Sequence, residues 1–287
     1  MNFVSIEDRK YHNSEIFVTT DWLEENYLKE DIIVLDLDAK DQYEESHIPG
    51  ALNVGDNYYK KSLEDRIYVQ DKSQIEDTFS KLGINNNTTV VGYDRSSALY
   101  SFRLAWVMMF YGHKNIKVLD GGFLKWIYEN RQIEKGNLQS KIIGDFKATD
   151  PHDEIFADRS LLLKILNNKD ENSYQILDVR SEDERNGINK RGGPRGGYIP
   201  KSIHKEWVNF NTDSEVPMLK SSEEILDITK NLGLNANLPT ITYCQGGIRA
   251  AHVFWALKLS GFKDIKNYDA SWREWGNDYD CPIVDLG

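Results

Sequence analysis

Thr240-Ile-Thr-Tyr-Cys-Gln-Gly-Gly-Ile-Arg-Ala-Ala-His-Val-Phe-Trp-Ala-Leu-Lys-Leu-Ser-Gly261 passes from a β-branched run to a helix-length apolar run through a turn holding a cysteine and two glycines. Pro239 to Tyr243 reads as a strand, and Ala250 to Ser260 as a helix closed by Gly261. With the helix starting near Arg249, Cys244 to Ile248 form a tight turn at a helix N-terminus. Upstream, Gln175 to Val179 reads as a second strand and Ser221 to Asn231 as a helix closed by Gly233. Strands alternating with helices imply parallel β-α-β units, with ligands bound beyond the carboxyl ends of the strands.

The same pattern occurs earlier in the chain. Val91-Gly-Tyr-Asp94 lies 150 positions before Ile241-Thr-Tyr-Cys244, and Leu82-Gly-Ile84 lies 150 before Leu232-Gly-Leu234. Ile33-Val-Leu-Asp36 answers Gln175-Ile-Leu-Asp178, His47-Ile-Pro49 answers Tyr198-Ile-Pro200, and Leu119-Asp-Gly-Gly122 with Trp126 answers Tyr268-Asp-Ala-Ser271 with Trp275. The order is the same in both halves, so the chain is a tandem repeat. The expected domains are 1–135 and 155–287. The polar, aperiodic segment between them, with Gly136, Gly144 and Pro151, is expected to link the halves over 136–154.

Composition narrows the function. A formal net charge of −11 argues against nucleic acid or an anionic membrane as a general partner. The N-terminus lacks the apolar core of a secretory signal, and no stretch is long enough to span a membrane, so a cytoplasmic protein is expected. Two cysteines give no disulfide framework, and no metal-ligand cluster or dinucleotide fingerprint is present. No cofactor or metal is therefore expected.

Cys244 could by itself be a small buried hydrophobe. Its setting points to chemistry. Gly246 and Gly247 let several backbone N–H groups of Gln245, Gly246, Gly247, Ile248 and Arg249 turn inward as an anion nest. A helix N-terminus and an adjacent arginine favour a thiolate, and the same donors would hold a persulfide. Cysteine phosphatases use a similar cradle with five residues between cysteine and arginine. Here four intervene, a narrower bowl suited to a sulfur atom rather than a phosphoryl group.

These residues carry a family resemblance. The chain resembles the tandem-domain rhodaneses, sulfurtransferases that include thiosulfate:cyanide and 3-mercaptopyruvate enzymes, from about Ile16 to Val284. The match rests on Leu35-Asp36, Ser46-His-Ile-Pro-Gly-Ala51, Tyr93-Asp94, Asp178-Val-Arg180, the Cys244 loop and Ser271-Trp-Arg-Glu-Trp-Gly276, among others. The resemblance implies two similar α/β domains, each a mainly parallel sheet flanked by helices on both faces. The first would lack the cysteine, with Asp94 in its place. It also implies double displacement, in which Cys244 takes sulfur from a small anionic donor and passes it to cyanide or a thiol, low-molecular-weight or on a thioredoxin-like protein. A monomer is expected. A persulfide-shuttling module with little free turnover is the alternative.

The donor reading comes from a nine-residue excess: ten residues separate Asp36 from His47, nineteen separate Asp178 from Tyr198. The insertion places Arg185, Lys190, Arg191 and Arg195 on a glycine-rich loop. Arg195, with Arg191 and Arg185 as further candidates, is expected to meet the donor's anionic group. The mercaptopyruvate enzymes commonly have a serine two residues after the cysteine and a threonine near the loop's end, where this chain has Gly246 and Arg249, so thiosulfate is favoured. Many members have an arginine where this chain has Glu184. Asp36 and His47 match a proton relay proposed for the mercaptopyruvate enzymes. Without a hydroxyl at Gly246 they read here as structural, as does Arg180, and Cys281 reads as inert.

Overall fold

The computed structural model describes residues 3–55, 58–60, 68–167 and 174–285, so the expected outer domain ends at 1 and 287 lie outside the described residues. The first half contains strands β1 (Phe17–Val18), β2 (Ile32–Asp36), β3 (Leu52–Asn53), β4 (Thr89–Tyr93) and β5 (Ile116–Leu119). Its helices are α1 (Thr20–Asn26), α2 (Lys40–Glu45), α3 (Lys72–Lys81), α4 (Leu99–Phe110) and α5 (Gly122–Tyr128). The second half repeats the series with β6 (Phe156–Ala157), β7 (Gln175–Asp178), β8 (Ile203–His204), β9 (Thr240–Tyr243) and β10 (Ile265–Tyr268). Its helices are α6 (Arg159–Asn167), α7 (Glu182–Arg185), α8 (Ser222–Asn231), α9 (Ile248–Leu259) and α10 (Ser271–Trp275).

Both sheets are parallel and have the same order, β1-β5-β4-β2-β3 and β6-β10-β9-β7-β8. The register repeats too: Asp36 faces Tyr93 across β2 and β4, and Asp178 faces Tyr243 across β7 and β9. In each half that tyrosine hydroxyl accepts a backbone N–H from the turn after the second helix, Ile48 at 3.0 Å and Ile199 at 3.2 Å. The strands are apolar on both faces, with Val90, Val91, Tyr93, Ile241 and Tyr243 fully buried, as helix-covered parallel strands require.

The expected helix at Ala250 begins two residues earlier, at Ile248. Gly247 is its N-cap at φ +74°, a left-handed backbone that glycine adopts without strain and that turns the chain abruptly into the helix. The halves are fused through the central helices. Phe102 of α4 stacks on Trp255 of α9 with ring centroids 6.2 Å apart, and one apolar cluster runs through both helices. Burial on this scale stabilises by roughly 25 cal/mol per Å² of apolar surface.

Segment 136–154 lies along the first half. Its Phe146 is buried against Phe79, and the N–H groups of Thr149 and His152 bond Tyr111 and Phe110. The N-terminal arm instead crosses to the second half: His12 N–H donates to the Leu259 carbonyl at 2.7 Å, and the Tyr11 hydroxyl donates to Leu219 and Lys220. No helix among the described residues is long and apolar enough to cross a membrane.

Candidate active site

Cys244 sits just beyond the carboxyl end of β9, at the amino end of the twelve-residue helix α9. Only 1% of it is exposed. The loop is fixed from the second half by Ser271, whose hydroxyl oxygen accepts the N–H groups of Cys244 at 3.0 Å and Gly247 at 3.2 Å. That hydroxyl donates to the Tyr268 carbonyl at 2.6 Å, and its oxygen lies 4.0 Å from Cys244 Sγ. Ser271 has φ +53°, a left-handed conformation unfavourable for a serine and held here by these bonds. The carbonyls of Cys244 and Gln245 accept the N–H groups of Trp272 and Arg273. The amides of Gln245, Gly246, Ile248 and Arg249 find no acceptor among the described residues. They are donors at a helix N-terminus, where partial positive charge gathers.

The first half shows how such a turn accommodates an acidic side chain, whose carboxyl is pushed above its usual range by burial and then by Asp38. Asp94, the counterpart of Cys244, turns its carboxylate onto its own loop and accepts Ser96 N–H at 2.7 Å, Ser101 N–H at 2.8 Å and the Ser101 hydroxyl at 2.6 Å. One cradle is filled by its own side chain, whereas the other holds a thiol.

Cys244 lies at the floor of a cleft of 660 Å³ shared by the two halves. Gln245, Gly246, Ile248, Arg249, Arg191 and Arg273 line it from the second half, and Tyr59, Lys60, Tyr68, Leu99 and Tyr100 from the first. Arg249 points back to Glu184, with its two terminal nitrogens 2.6 and 2.8 Å from the two carboxylate oxygens. Glu184 also accepts Arg191 Nε at 3.3 Å and completes a capping box with Ser181 at the start of α7. Burial alone would raise this carboxyl. The hydrogen bonds and charge of Arg249, with Ser181 and Arg191, outweigh it and hold the group down to about 2.

The structure divides the expected site residues. Cys244, Gln245, Gly246, Ile248, Arg249 and Arg191 share the cleft, and Gly247 forms the turn beneath it. Arg195 corrects the sequence expectation. Its guanidinium is fully engaged by the carbonyls of Gly276 at 2.9 Å, Cys281 at 3.0 Å, Trp275 at 2.7 Å and Asp278, so it ties the inserted loop to the chain's last segment. Arg185 is also turned away. It bonds Asp178 at 3.2 Å and Ser202 at 2.8 Å, and stacks over Tyr198 at 3.6 Å.

Arg180 forms a buried bidentate pair with Asp178 at 3.0 and 2.7 Å. Asp36 and His47 lie in the first half away from the cleft. His47 is buried, stacked on Tyr43 and bonded to the Tyr43 carbonyl at 2.8 Å. Asp36 is fully buried and pushed up to about 7, first by burial and then by Asp38. Cys281 is buried in an apolar cluster. The sequence reading missed Tyr59, Lys60, Tyr68, Glu184, Ser271 and Arg273. Ser271 and Arg273 lie in the Ser271-Trp-Arg-Glu-Trp-Gly276 motif; the first-half residues carry no local signal.

Residues 19–129 and 162–278 each match the Rhodanese-like domain family. The chain is a tandem rhodanese. Among curated relatives, "Putative thiosulfate sulfurtransferase" of Saccharopolyspora erythraea is 31% identical over 280 residues, covering 94% of this chain and 96% of that protein. "Sulfur carrier protein TtuD" of Thermus thermophilus is 30% identical over 286 residues, covering 96% and 98%. Among solved structures, the anaerobic ergothioneine biosynthesis enzyme of Chlorobium limicola, in complex with trimethyl histidine, superposes with a TM-score of 0.82 at 22% identity. The match covers 96% of this chain and 71% of that one. This rhodanese therefore belongs to a family whose matched curated relatives bear sulfurtransferase and sulfur-carrier names.

Proposed function

We propose that the protein is a sulfurtransferase in which Cys244 carries sulfane sulfur between an anionic donor, thiosulfate in the first instance, and a thiophilic acceptor, cyanide or a thiol. The observation that carries this reading is the pair of cradles: the same strand-turn-helix holds a self-satisfied carboxylate at Asp94 and a thiol under unused N–H donors at Cys244. The names of two relatives matched over 96% and 98% of their length, "Putative thiosulfate sulfurtransferase" and "Sulfur carrier protein TtuD", support it.

In the first step the Cys244 thiolate attacks the outer sulfur of thiosulfate. A Cys244 S–S bond forms, the donor's S–S bond breaks, and its electron pair leaves on sulfite. The persulfide anion is held by the amides of Gln245, Gly246, Ile248 and Arg249. In the second step cyanide attacks the outer sulfur and leaves as thiocyanate, returning the thiolate. A thiol acceptor leaves instead as its own persulfide. Arg249 and Arg191, aligned by Glu184, place positive charge where the donor enters.

The persulfide-shuttle reading uses the same first step and differs in the second, where a protein thiol would receive the sulfur. Intact mass after exposure to thiosulfate tests the common step. A gain of one sulfur atom on the wild type and none on Cys244→Ser is expected; no gain on the wild type with thiosulfate or mercaptopyruvate sinks the proposal. Turnover with cyanide then separates enzyme from shuttle.

A further inference from the structure

The half without the cysteine supplies part of the cleft's cover. The Tyr68 ring rests on the Cys244 loop: a Cβ added to Gly246 would stand 3.1 and 3.2 Å from two of its ring carbons. Tyr68 is 5% exposed and Cys244 1% exposed, and the two line the same cleft.

The ring's position is set by one carboxylate of the other half. Asp269, the residue after β10, accepts the N–H groups of Tyr68 at 2.5 Å and Val69 at 2.9 Å on the same oxygen. Its second oxygen pairs with Arg103 of α4 at 2.6 Å, both side chains being fully buried. Asp269 also abuts the cysteine loop. A Cβ on Gly247 would stand 2.7 Å from its carbonyl oxygen and 2.9 Å from its carboxylate. One buried anion thus touches the turn below Cys244 and holds the backbone that carries its cover. A buried carboxylate is tolerated only with such partners, which makes the arrangement rigid.

Resting on the reading of Cys244 as the sulfur carrier, we propose that Tyr68 is a specificity-determining roof over the persulfide and that Asp269 is the residue that positions it. A compact nucleophile such as cyanide reaches the outer sulfur with the roof in place. A bulky thiol such as glutathione meets the ring. Each transfer balances as above: the Cys244 S–S bond breaks, its electron pair returns to Cys244, and the outer sulfur leaves on the acceptor.

The test loads the full chain with thiosulfate, removes excess donor, and follows persulfide loss to cyanide and to glutathione. Tyr68→Ala is expected to raise the glutathione-to-cyanide rate ratio by about tenfold, and Tyr68→Phe to leave it within about twofold. Asp269→Asn is expected to move the ratio the same way and to add less than about twofold in the Tyr68→Ala background, as for groups acting through one another. Where Asp269→Asn does not fold, Asp269→Glu keeps the charge opposite Arg103 while displacing the two amides, and takes its place. An unchanged ratio in Tyr68→Ala overturns the roof. A full effect of the Asp269 variant on top of Tyr68→Ala overturns its positioning role. Failure of the wild type to take up sulfur strikes the carrier reading instead.

Discussion

Replacing Glu184 by glutamine probes the link between the fold and the cleft. Glu184 is 2% exposed, and its carboxylate bonds Arg249 twice, Arg191 once, and the Ser181 backbone and hydroxyl. Its pKa falls from 4.5 to about 2 on folding. A depressed carboxylate contributes stability above its unfolded pKa and loses it as pH falls through the folded one. That lowering gives on the order of 3 kcal/mol near pH 7, shrinking to on the order of 1 kcal/mol near pH 3. Glu184→Gln keeps the shape and one acceptor, so its cost should follow the same curve. Urea unfolding of both proteins at pH 7 and pH 3 measures it, with the midpoint and slope compared at each pH. Arg249, released from its bidentate partner, should also lose its fixed position at the cleft, lowering the rate of persulfide formation at Cys244. A cost below about 1 kcal/mol at pH 7, or one that does not shrink at pH 3, would refute the assignment of Glu184 as an ionised clamp.

Three further outcomes follow from the contacts. Arg195→Ala removes a guanidinium from four carbonyls and should destabilise by roughly 1.5–3 kcal/mol while leaving the thiosulfate KM within about twofold; a KM raised tenfold would restore Arg195 to the donor site. Asp36, raised from 3.8 to about 7, favours the folded state while protonated, and that contribution is lost as pH climbs from about 4 through 7. Asp36→Asn should therefore gain stability relative to the wild type between pH 4 and pH 8, and an equal difference at both would contradict this. Gly247→Ala forces a side chain into a φ of +74° and to within 3.0 Å of Asp269 and Arg103. It should cost more than about 1 kcal/mol and abolish sulfur uptake with Cys244 intact, as read by melting temperature and intact mass.

The parallel strands, their helices and the duplication were legible because each is local. β-branched runs, helix-length apolar runs and glycine stops sit within a few residues of one another, and the repeat exposes them twice. Cys244 and its loop were legible for the same reason: a strand end, two glycines and a helix start are neighbours in the chain. Ser271 and Arg273 lay inside a recognised motif, yet nothing in it says that a serine hydroxyl would bind the amides of Cys244 and Gly247.

The arginines of the insertion show where local reading stops. Arg185, Arg191 and Arg195 have similar surroundings in the sequence, but only Arg191 lines the cleft. The other two are drawn away by acceptors outside their own loop, Arg195 by carbonyls 80 or more positions on and Arg185 by Asp178 and Ser202, 7 and 17 positions away on either side. Which cation is left facing a cleft depends on which carbonyls and carboxylates the folded chain brings within reach. By itself the sequence determined the doubled α/β architecture and the place of Cys244 at a strand end and helix start, because those follow from short-range patterning of apolar residues and glycines. The tertiary structure alone decided that Glu184 aligns Arg249 and that Asp269 holds Tyr68 above the thiol, because a buried charge takes its partners from wherever in the chain packing places them.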